Sequence, residues 1–326
     1  MATPTSSVFF YTIKVRTVLA WWNQPEKYAP TKVLQYLRHG VKIKFDRPIQ
    51  PLKLATHLIS ESKDIDFVIK DLTKDRQCGA YVELVVGGAS FLSRSRVYTP
   101  ASGKQRMVHA LCGLNVVTTK RPCKYELIHD LPVVFRPVDW MLLVDAKAVF
   151  WSVSIHPQSR KFMSSHYALP TFYESEGKAT FVPLQPGGYW ALQHQVARGS
   201  PRPPKSTAST PPGLHESYIR VIELSHAVTL FGWTASPRIW VPVFRIVVAA
   251  FRRSSLRVLV FVDDLLIALG SYAEAVRAKT IIEETFAASS LTQAPGKGQF
   301  EPTQVLVDHL GFKISSKGSG LITVPE

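Results

Sequence analysis

Two adjacent carboxylates interrupt a long apolar stretch of the sequence. Asp263 and Asp264 lie in the middle of LRVLVFVDDLLIAL, fourteen residues that otherwise indicate two buried strands. Neighbouring carboxylates repel each other, and burying either is costly unless a cation is close. A strand, a two-residue acidic turn and a second strand would present them to hard divalent cations, which prefer oxygen ligands. Taken alone, an ordinary hairpin turn explains the pair equally well, because turns favour Asp.

A third candidate carboxylate follows another apolar strand. Asp145 ends the segment WMLLVD, and the aromatic residue Phe150 comes five positions later. An Asp that follows a strand is most often a cap or turn residue. Together with Asp263 and Asp264, however, it would supply the carboxylates of a two-metal site, in which ions about 4 Å apart activate an attacking oxygen and stabilise the leaving one.

The segment GKQRMVHALCGLN (103–115) places two cations two positions apart. On a strand, Lys104 and Arg106 would point to the same face, where both could meet a triphosphate. Arg would bind it through paired hydrogen bonds and Lys as a point charge. The alternative is a solvated basic edge strand, and the segment taken alone favours it because charged edges protect sheets from pairing.

The overall charge balance limits the class of partner. The chain has 39 Lys and Arg against 24 Asp and Glu, a net charge of +15. This excess favours a polyanion such as nucleic acid, or an anionic membrane surface. The three cysteines, Cys78, Cys112 and Cys123, are too few and too widely spaced for a zinc site or disulfide framework, so we expect free thiols. No apolar segment reaches the roughly 18 residues that span a bilayer, and we expect a cytoplasmic or nuclear protein.

Helix and strand patterns surround the candidate residues. Residues 1–60 form a peripheral region with one helical patch at Pro30–His39, and 61–326 form the main domain. A charged helical pattern from Asp64 is broken at Gly79. The predicted strands are Phe91–Tyr98, Gln105–Leu111, Met141–Val144 and the segment HLGFKIS at His309–Ser315.

Two longer helices are predicted on either side of the acidic hairpin. Ser236 as N-cap with Pro237 after it begins the first. Ser271 and Glu274 form a capping box for the second, which extends to about Ser289. The apolar face of this second helix comprises Ala275, Ala278, Ile282 and Phe286.

Residues 182–224 differ from their surroundings. Their centre, Gly199–Gly213, contains five prolines and no aliphatic residue larger than Ala. Such a composition cannot offset the entropy of ordering, so the segment is predicted to be a disordered insert outside the core, most clearly over 185–220.

Five blocks, in this order, resemble those of retroelement reverse transcriptases, particularly the DIRS-like and Ty3-like retrotransposon type. The resemblance covers the chain from about Asp64 to its end, except for 182–224. The blocks are GKQRMV, VDAKAVFWSVSIHPQSRKF, LFGWTASPRIW, VFVDDLLI and EPTQVLVDHLGFKIS.

The resemblance implies a role for each matching residue. Asp145, Asp263 and Asp264 match the catalytic aspartates that hold two Mg²⁺ ions, for which Mn²⁺ can substitute. Phe150 matches the aromatic gate under the sugar, so the implied product is DNA. The other matches are Lys104 and Arg106 (grip on the triphosphate), Phe231 and Gly232 (support of nucleotide and template), Lys297 (protonation of the leaving pyrophosphate) and HLGF (primer grip).

The sequence also departs from the family pattern. Ala110 and Cys112 stand where the finger block normally has Asp and Arg, and Leu230 replaces the proline of LPFG. The spacing between Asp145 and Asp263 exceeds what the family needs by about the size of the Pro- and Ser-rich segment, which suggests a retained intron or a local frameshift.

The implied fold is α+β, a right-hand polymerase fold with fingers and an antiparallel palm sheet, and with the thumb missing or truncated. The implied function is RNA-directed DNA polymerisation, which takes an RNA template, a DNA primer and dNTPs as partners. The alternatives are a catalytically inactive polymerase remnant and a non-enzymatic basic nucleic-acid-binding protein. The latter predicts salt-sensitive RNA binding that needs neither Mg²⁺ nor dNTP.

Overall fold

The computed structural model describes residues 31–47, 49, 52–53, 64–84, 87–170, 172–175, 178–181, 219–318 and 322–323. In chain order the helices are α1 (Thr31–His39), α2 (Ile65–Gln77), α3 (Cys112–Val117), α4 (Leu131–Val134), α5 (Pro157–Arg160), α6 (Ser236–Arg253) and α7 (Tyr272–Ser289). Short 3₁₀ turns cover Ile128–Asp130 and Val149–Ser152.

The strands in chain order are β1 (Leu52–Lys53), β2 (Tyr81–Leu84), β3 (Phe91–Leu92), β4 (Arg94–Tyr98), β5 (Arg106–Ala110), β6 (Trp140–Asp145), β7 (Ser164–Pro170), β8 (Phe172–Ser175), β9 (Lys178–Phe181), β10 (Ile219–His226), β11 (Arg257–Phe261), β12 (Asp264–Leu269), β13 (Gln299–Thr303), β14 (Val305–His309), β15 (Phe312–Ser315) and β16 (Ile322–Thr323). The chain divides into two compact units. The first comprises Met1–Lys42, Thr119–His156 and Val228–Glu326, and the second Ile43–Thr118 and Pro157–Ala227.

A four-stranded sheet organises the first unit, in the order β11-β12-β6-β13 with antiparallel pairing throughout. Strand β6 is buried on both faces, because successive side chains point to opposite sides and all four from Met141 to Val144 are buried. Met141 and Leu143 belong to a core cluster whose other buried members are Leu131, Leu259, Leu266 and Ile314. An apolar strand enclosed in this way is a rigid mount for the residue at its end.

Helices α6 and α7 complete the core of the first unit. Helix α6 packs against β11, and α7 packs against α6, β6, β12 and β13. The two helices meet where the rings of Phe251 and Phe286 lie 6.2 Å apart. The Ser271 hydroxyl accepts a hydrogen bond from the Glu274 amide, as predicted for the N-terminus of α7. The predicted apolar face of α7 is confirmed, since Ala275, Ala278, Ile282 and Phe286 are all buried.

A five-stranded sheet in the order β1-β3-β7-β10-β2 organises the second unit, and β4 and β5 form a separate hairpin. The Glu223 carboxylate on β10 is fully buried, where it accepts hydrogen bonds from the backbone amides of Gly87 and Ala89 and contacts the His166 ring. This one side chain therefore fixes the turn that leads into β3.

The second unit encloses a cluster of polar rings. His109 on β5 hydrogen-bonds the hydroxyls of Ser95 and Tyr81, and the His226 ring lies 4.5 Å from the rings of both His109 and Tyr81. Burial lowers the pKa of His109 to about 4, and burial with the nearby His109 lowers the pKa of His226 well below its ordinary value. Both histidines are therefore neutral at pH 7.

The pKa of one buried carboxyl in this unit is raised, whereas the pKa values of the two histidines are lowered. Burial, with the charge of Asp71 adding to it, raises the pKa of Asp75 to about 7. Lys74 opposes the shift without cancelling it.

Three sequence predictions need correction. The predicted insert ends too late, because Ile219–His226 form strand β10 at the interior of a sheet, while 182–218 lie outside the described residues. Ser236 is the first residue of α6 rather than its cap, since its hydroxyl donates to the Leu230 carbonyl. HLGFKIS is a hairpin turn rather than one strand: β14 ends at His309 and β15 begins at Phe312.

Two other expectations concern the cysteines and the membrane. Cys78, Cys112 and Cys123 are free thiols, as predicted. Among the described residues, no helix combines the length and apolar character that crossing a membrane requires.

Candidate active site

The sheet of the first unit places two of the three candidate carboxylates opposite each other. Strands β6 and β12 are antiparallel, and their register pairs Asp145 with Asp264 across the ladder. Asp263 comes one residue earlier in the hairpin turn, and its carbonyl accepts a hydrogen bond of 2.9 Å from the Ala146 amide. The last residue of β6, the first residue of β12 and the turn between β11 and β12 therefore form one group of carboxylates.

The turn itself differs from the acidic Asp-Asp turn that the sequence suggested. Phe261 pairs with Asp264, so the two turn residues are Val262 and Asp263, and Asp264 already belongs to the strand. Val262 has a φ of +54°, which β-branched residues rarely adopt. Its carbonyl accepts a hydrogen bond of 2.7 Å from the indole of Trp240 on α6. A tertiary contact thus holds the turn in a conformation that its own sequence disfavours.

A loop from the other side of the sheet brings Lys297 to the carboxylates. The Asp145 carbonyl accepts from the Ala294 amide at 2.8 Å, and the Lys297 ammonium donates to the Asp145 carboxylate at 2.9 Å. Gly298 lies so close to β6 that a Cβ at this position would be 2.5 Å from the Leu143 carbonyl oxygen. The glycine is required both for this approach and for its φ of +73°.

Burial and the neighbouring carboxylate charges together raise the pKa values of Asp263 and Asp264, and burial has the larger effect. Burial raises the pKa of Asp263, and the charge of Asp145 adds to the shift. For Asp264, burial followed by the charges of Asp263 and Asp145 raises the pKa to about 6. Lys297 lowers both values, but its single charge, on a side chain that is 59% exposed, leaves the repulsion only partly compensated.

The donor set matches the chemistry of a hard divalent cation. Asp145, Asp263 and Asp264 offer only carboxylate oxygens, the ligands that Mg²⁺ and Mn²⁺ prefer, and a divalent charge would offset their repulsion. Among the residues that the structure describes, no three His, Cys, Asp or Glu side chains are arranged so that they could hold a metal ion.

Two aromatic candidates lie together in the first unit. The ring of Phe150 is 4.5 Å from that of Phe231 in an edge-to-face contact. Phe150 is buried in the 3₁₀ turn after β6, whereas Phe231 is 59% exposed. The Thr229 hydroxyl donates to the Phe150 carbonyl, and Gly232 follows Phe231 with a φ of +89°. The segment around Phe231 is therefore tied to the backbone that follows the first carboxylate.

The two basic candidates belong to the second unit. Arg106 is the first residue of β5 and Lys104 precedes the strand by two residues, and both side chains are exposed. Between them, the side-chain amide of Gln105 donates a hydrogen bond of 2.8 Å to the Asp64 carboxylate. Ala110 and Cys112, where the resemblance expects Asp and Arg, are exposed as well.

Sequence reasoning missed two supports of the site. Trp240, which holds the hairpin turn, reads as one more apolar residue of α6, and its indole contact spans 22 residues of sequence. Gly298 had a weak signal in the GKG triplet, because two glycines flanking a lysine favour a tight turn. No pattern, however, predicted how closely that turn approaches Leu143.

No protein-family model matches the chain, and no curated protein sequence is significantly similar to it.

Proposed function

We propose that this protein is an RNA-directed DNA polymerase of the retroelement type, which adds deoxynucleotides to a primer 3′-hydroxyl along an RNA template. One observation carries the proposal: Asp264 is in register with Asp145, Asp263 precedes it in the turn, and Lys297 hydrogen-bonds Asp145. In this proposal the β11-β12-β6-β13 sheet is the palm and the β4-β5 hairpin belongs to the fingers of a right-hand polymerase.

The three carboxylates would hold two Mg²⁺ ions, or Mn²⁺ in their place. Bound there, the ions would supply activation of the primer hydroxyl and stabilisation of the charge on the leaving group. Lys297 is held at this end of the sheet by Asp145 and carries a proton that it can donate to the departing pyrophosphate.

The remaining candidates bind and select the nucleotide. Lys104 and Arg106 present exposed cations to a triphosphate, for which Arg offers paired donors. The Phe150 ring would exclude a 2′-hydroxyl by its bulk, and Phe231 with Gly232 would support the nucleotide and the template. The turn of HLGF, between β14 and β15, would position the primer end through its backbone.

The first experiment is primer extension on poly(rA) with oligo(dT), in Mg²⁺ and separately in Mn²⁺. Asp263→Asn should lower the rate by at least about a hundredfold, because it removes a ligand whose charge must balance two cations. Nucleic-acid affinity should stay nearly unchanged, because phosphate contacts come from Lys and Arg. Glu284→Gln, an exposed carboxylate of α7 in the same unit, is the matched control and should keep full activity.

One observation favours a second candidate, a polymerase remnant that binds nucleic acid without catalysis. The finger block lacks its polar pair, because Ala110 and Cys112 stand where the resemblance expects Asp and Arg. Each lost polar contact around a triphosphate can cost on the order of 1 to 3 kcal/mol. Activity that appears only after Ala110→Asp with Cys112→Arg would support this candidate, and robust activity of the unchanged chain would exclude it.

A further inference from the structure

The second unit contains an open cleft that the proposed chemistry does not use. Its volume is about 650 Å³, within the usual range of small-ligand sites. Its lining combines two half-buried aromatic rings, three exposed charged residues, one half-buried aliphatic residue and one serine. These residues are Phe45, Asp46, Arg47, Ile49, Ser90, Lys161 and Phe162.

The walls of the cleft are fixed by backbone contacts. The Asp46 amide donates to the Val117 carbonyl at 3.1 Å, and Phe45 forms a β-bridge with Thr118. On the facing segment, the Lys161 carbonyl accepts hydrogen bonds from the amides of Ser90 and Phe91 at 2.8 and 3.1 Å. A ligand would therefore enter a formed site and would not have to order one.

Two rings lie side by side in the cleft with a cation above one of them. The rings of Phe45 and Phe162 meet edge to face with their centroids 5.0 Å apart. The Lys161 ammonium lies 5.2 Å from the centroid of Phe162. Aromatic faces next to cations are the combination that holds the bases and phosphates of single strands.

The rim of the cleft carries two cations and one carboxylate. Arg47 and Lys161 are exposed, and neither has an ion-pair partner among the residues that the structure describes. Asp46 adds one carboxylate, which repels a phosphate but accepts a hydrogen bond from the exocyclic amino group of a base. The cleft thus offers separate places for the phosphate, the ring and the amino group of a nucleotide.

We propose that this cleft binds one nucleotide unit, with its base against the rings of Phe45 and Phe162 and its phosphate held by Arg47 and Lys161. The Asp46 carboxylate favours a base that bears an amino group, such as cytosine. The unit is either one position of a single strand or a free mononucleotide. The proposal depends neither on Asp145, Asp263 and Asp264 nor on polymerase activity.

The test is photocrosslinking of the full chain to an oligo(dC) that carries a single 5-iodo-deoxycytidine, in EDTA and without dNTP. Peptide mapping should place the crosslink at Phe45 or Phe162. The double variant Arg47→Gln with Lys161→Gln should bind the oligonucleotide about tenfold more weakly. The slope of log affinity against log salt concentration should become shallower by about one, because one phosphate loses both of its cations. The control pair Lys70→Gln with Lys74→Gln removes two exposed cations from α2 of the same unit and should bind as the unchanged chain does.

Competition identifies the source of the nucleotide. Displacement of the oligonucleotide by dCMP at a matched nucleotide concentration indicates a free mononucleotide, and a crosslink that only oligonucleotides suppress indicates a strand. Crosslinks confined to other peptides, or equal loss of affinity in the cleft pair and the control pair, would overturn the proposal. Because the assay contains no metal ion, a failure of primer extension leaves its result unaffected.

Discussion

The two ends of strand β6 carry carboxylates in opposite situations. Asp139, just before the strand, is buried and forms two hydrogen bonds with the Arg257 guanidinium, at 2.6 and 2.7 Å. It also accepts a hydrogen bond of 2.7 Å from the Arg136 amide. Asp145, at the far end, meets two other carboxylates and one exposed lysine. One strand therefore joins a compensated charge to an under-compensated group.

The contrast distinguishes charges that serve the fold from charges that do not. Removing one partner of a buried pair leaves the other uncompensated, so a structural carboxylate shows itself by a loss of stability. Carboxylates whose pKa is raised by burial and by neighbouring charges oppose folding in their charged form, and a chain keeps such groups most readily where they have a use. The two ends of β6 should consequently respond to neutralisation with opposite signs.

The largest expected effect is at the compensated end. Asp139→Asn should lower the free energy of unfolding by about 3 kcal/mol, because Arg257 would lose its charge partner in a largely buried position. Urea unfolding followed by tryptophan fluorescence measures this change, since Trp140, Trp151, Trp233 and Trp240 all belong to the first unit. An unchanged unfolding midpoint would mean that the Asp139 contact with Arg257 contributes nothing, and the comparison would fail.

A second prediction asks whether the second unit keeps its buried ionisable groups neutral. The pKa of His109 is about 4 in the folded chain and about 6.5 when unfolded, so the unfolded state binds more protons between these values. Stability from neutral His109 is present above about pH 6.5 and declines as the pH falls toward 4. Moving from pH 7 to pH 5 should cost on the order of 1 to 2 kcal/mol.

His109→Gln should remove this loss, whereas His129→Gln, an exposed histidine of the first unit, should not. Hydrogen exchange of the amides in β2, β5 and β10 at the two pH values measures the stability of the second unit separately from that of the first. The pKa of Asp75, raised to about 7, acts in the opposite direction, because its protonated form gains stability as the pH falls below 7. The difference between the variant and the unchanged chain gives the contribution of His109 together with its effect on His226, and parallel pH profiles for both would contradict the lowered pKa of His109.

The third prediction addresses the under-compensated end of β6. The pKa of Asp264 is about 6, above its unfolded value, so the charged form opposes folding and stability falls as the pH rises through this range. Asp264→Asn should therefore raise the free energy of unfolding above pH 6 by about 1 kcal/mol, a figure reduced for the partial exposure of the group. Urea unfolding at pH 7.5 in EDTA measures the gain, which should vanish at pH 4. Destabilisation would indicate that Asp264 is a structural carboxylate like Asp139.

Local patterns in the sequence were enough to locate the carboxylate end of β6. The apolar run LRVLVFVDDLLIAL, split by two carboxylates, predicts the β11-β12 hairpin, and Ser271 with Glu274 predicts the start of α7, because each of these signals lies within a few residues. The pairing of Asp145 with Asp264 in one register depends on a fold that brings distant segments together. The resemblance suggested that pairing, which neither periodicity nor spacing could establish.

Two of the errors come from hydrogen-bond partners that the local sequence pattern does not reveal. The outer bound of the predicted insert was placed at residue 224, yet the buried Glu223 accepts a hydrogen bond from the Gly87 amide, 136 residues earlier. The Ser236 hydroxyl donates to the Leu230 carbonyl although its position before Pro237 favours capping. In the first case the partner is distant in the sequence, and in the second it lies six residues earlier; in both, the hydrogen bond overrides the preference of the local pattern.

The smallest expected effect concerns Phe150, beside the carboxylate end of β6. Its ring is buried against Phe231, and the hydroxyl of Thr229 holds its carbonyl, so the backbone has an anchor that does not depend on the ring. Truncation to Ala would leave a large cavity in the core, and Phe150→Leu is the better test because it shortens the side chain while keeping most of its packing. If the ring excludes a 2′-hydroxyl, the variant should raise kcat/KM for a ribonucleotide relative to its deoxynucleotide by on the order of fivefold.

The control for this prediction is Phe231→Leu, which weakens the same ring contact from its exposed side and leaves the Phe150 ring in place. Only the Phe150 variant should change the ratio of ribonucleotide to deoxynucleotide incorporation, because only that ring is assigned to the sugar. Equal changes in the two variants would indicate a general loosening of the ring pair. An unchanged ratio in a Phe150→Leu enzyme that still extends primers would make Phe150 a core residue of the first unit, and nucleotide selection would then have to come from another side chain.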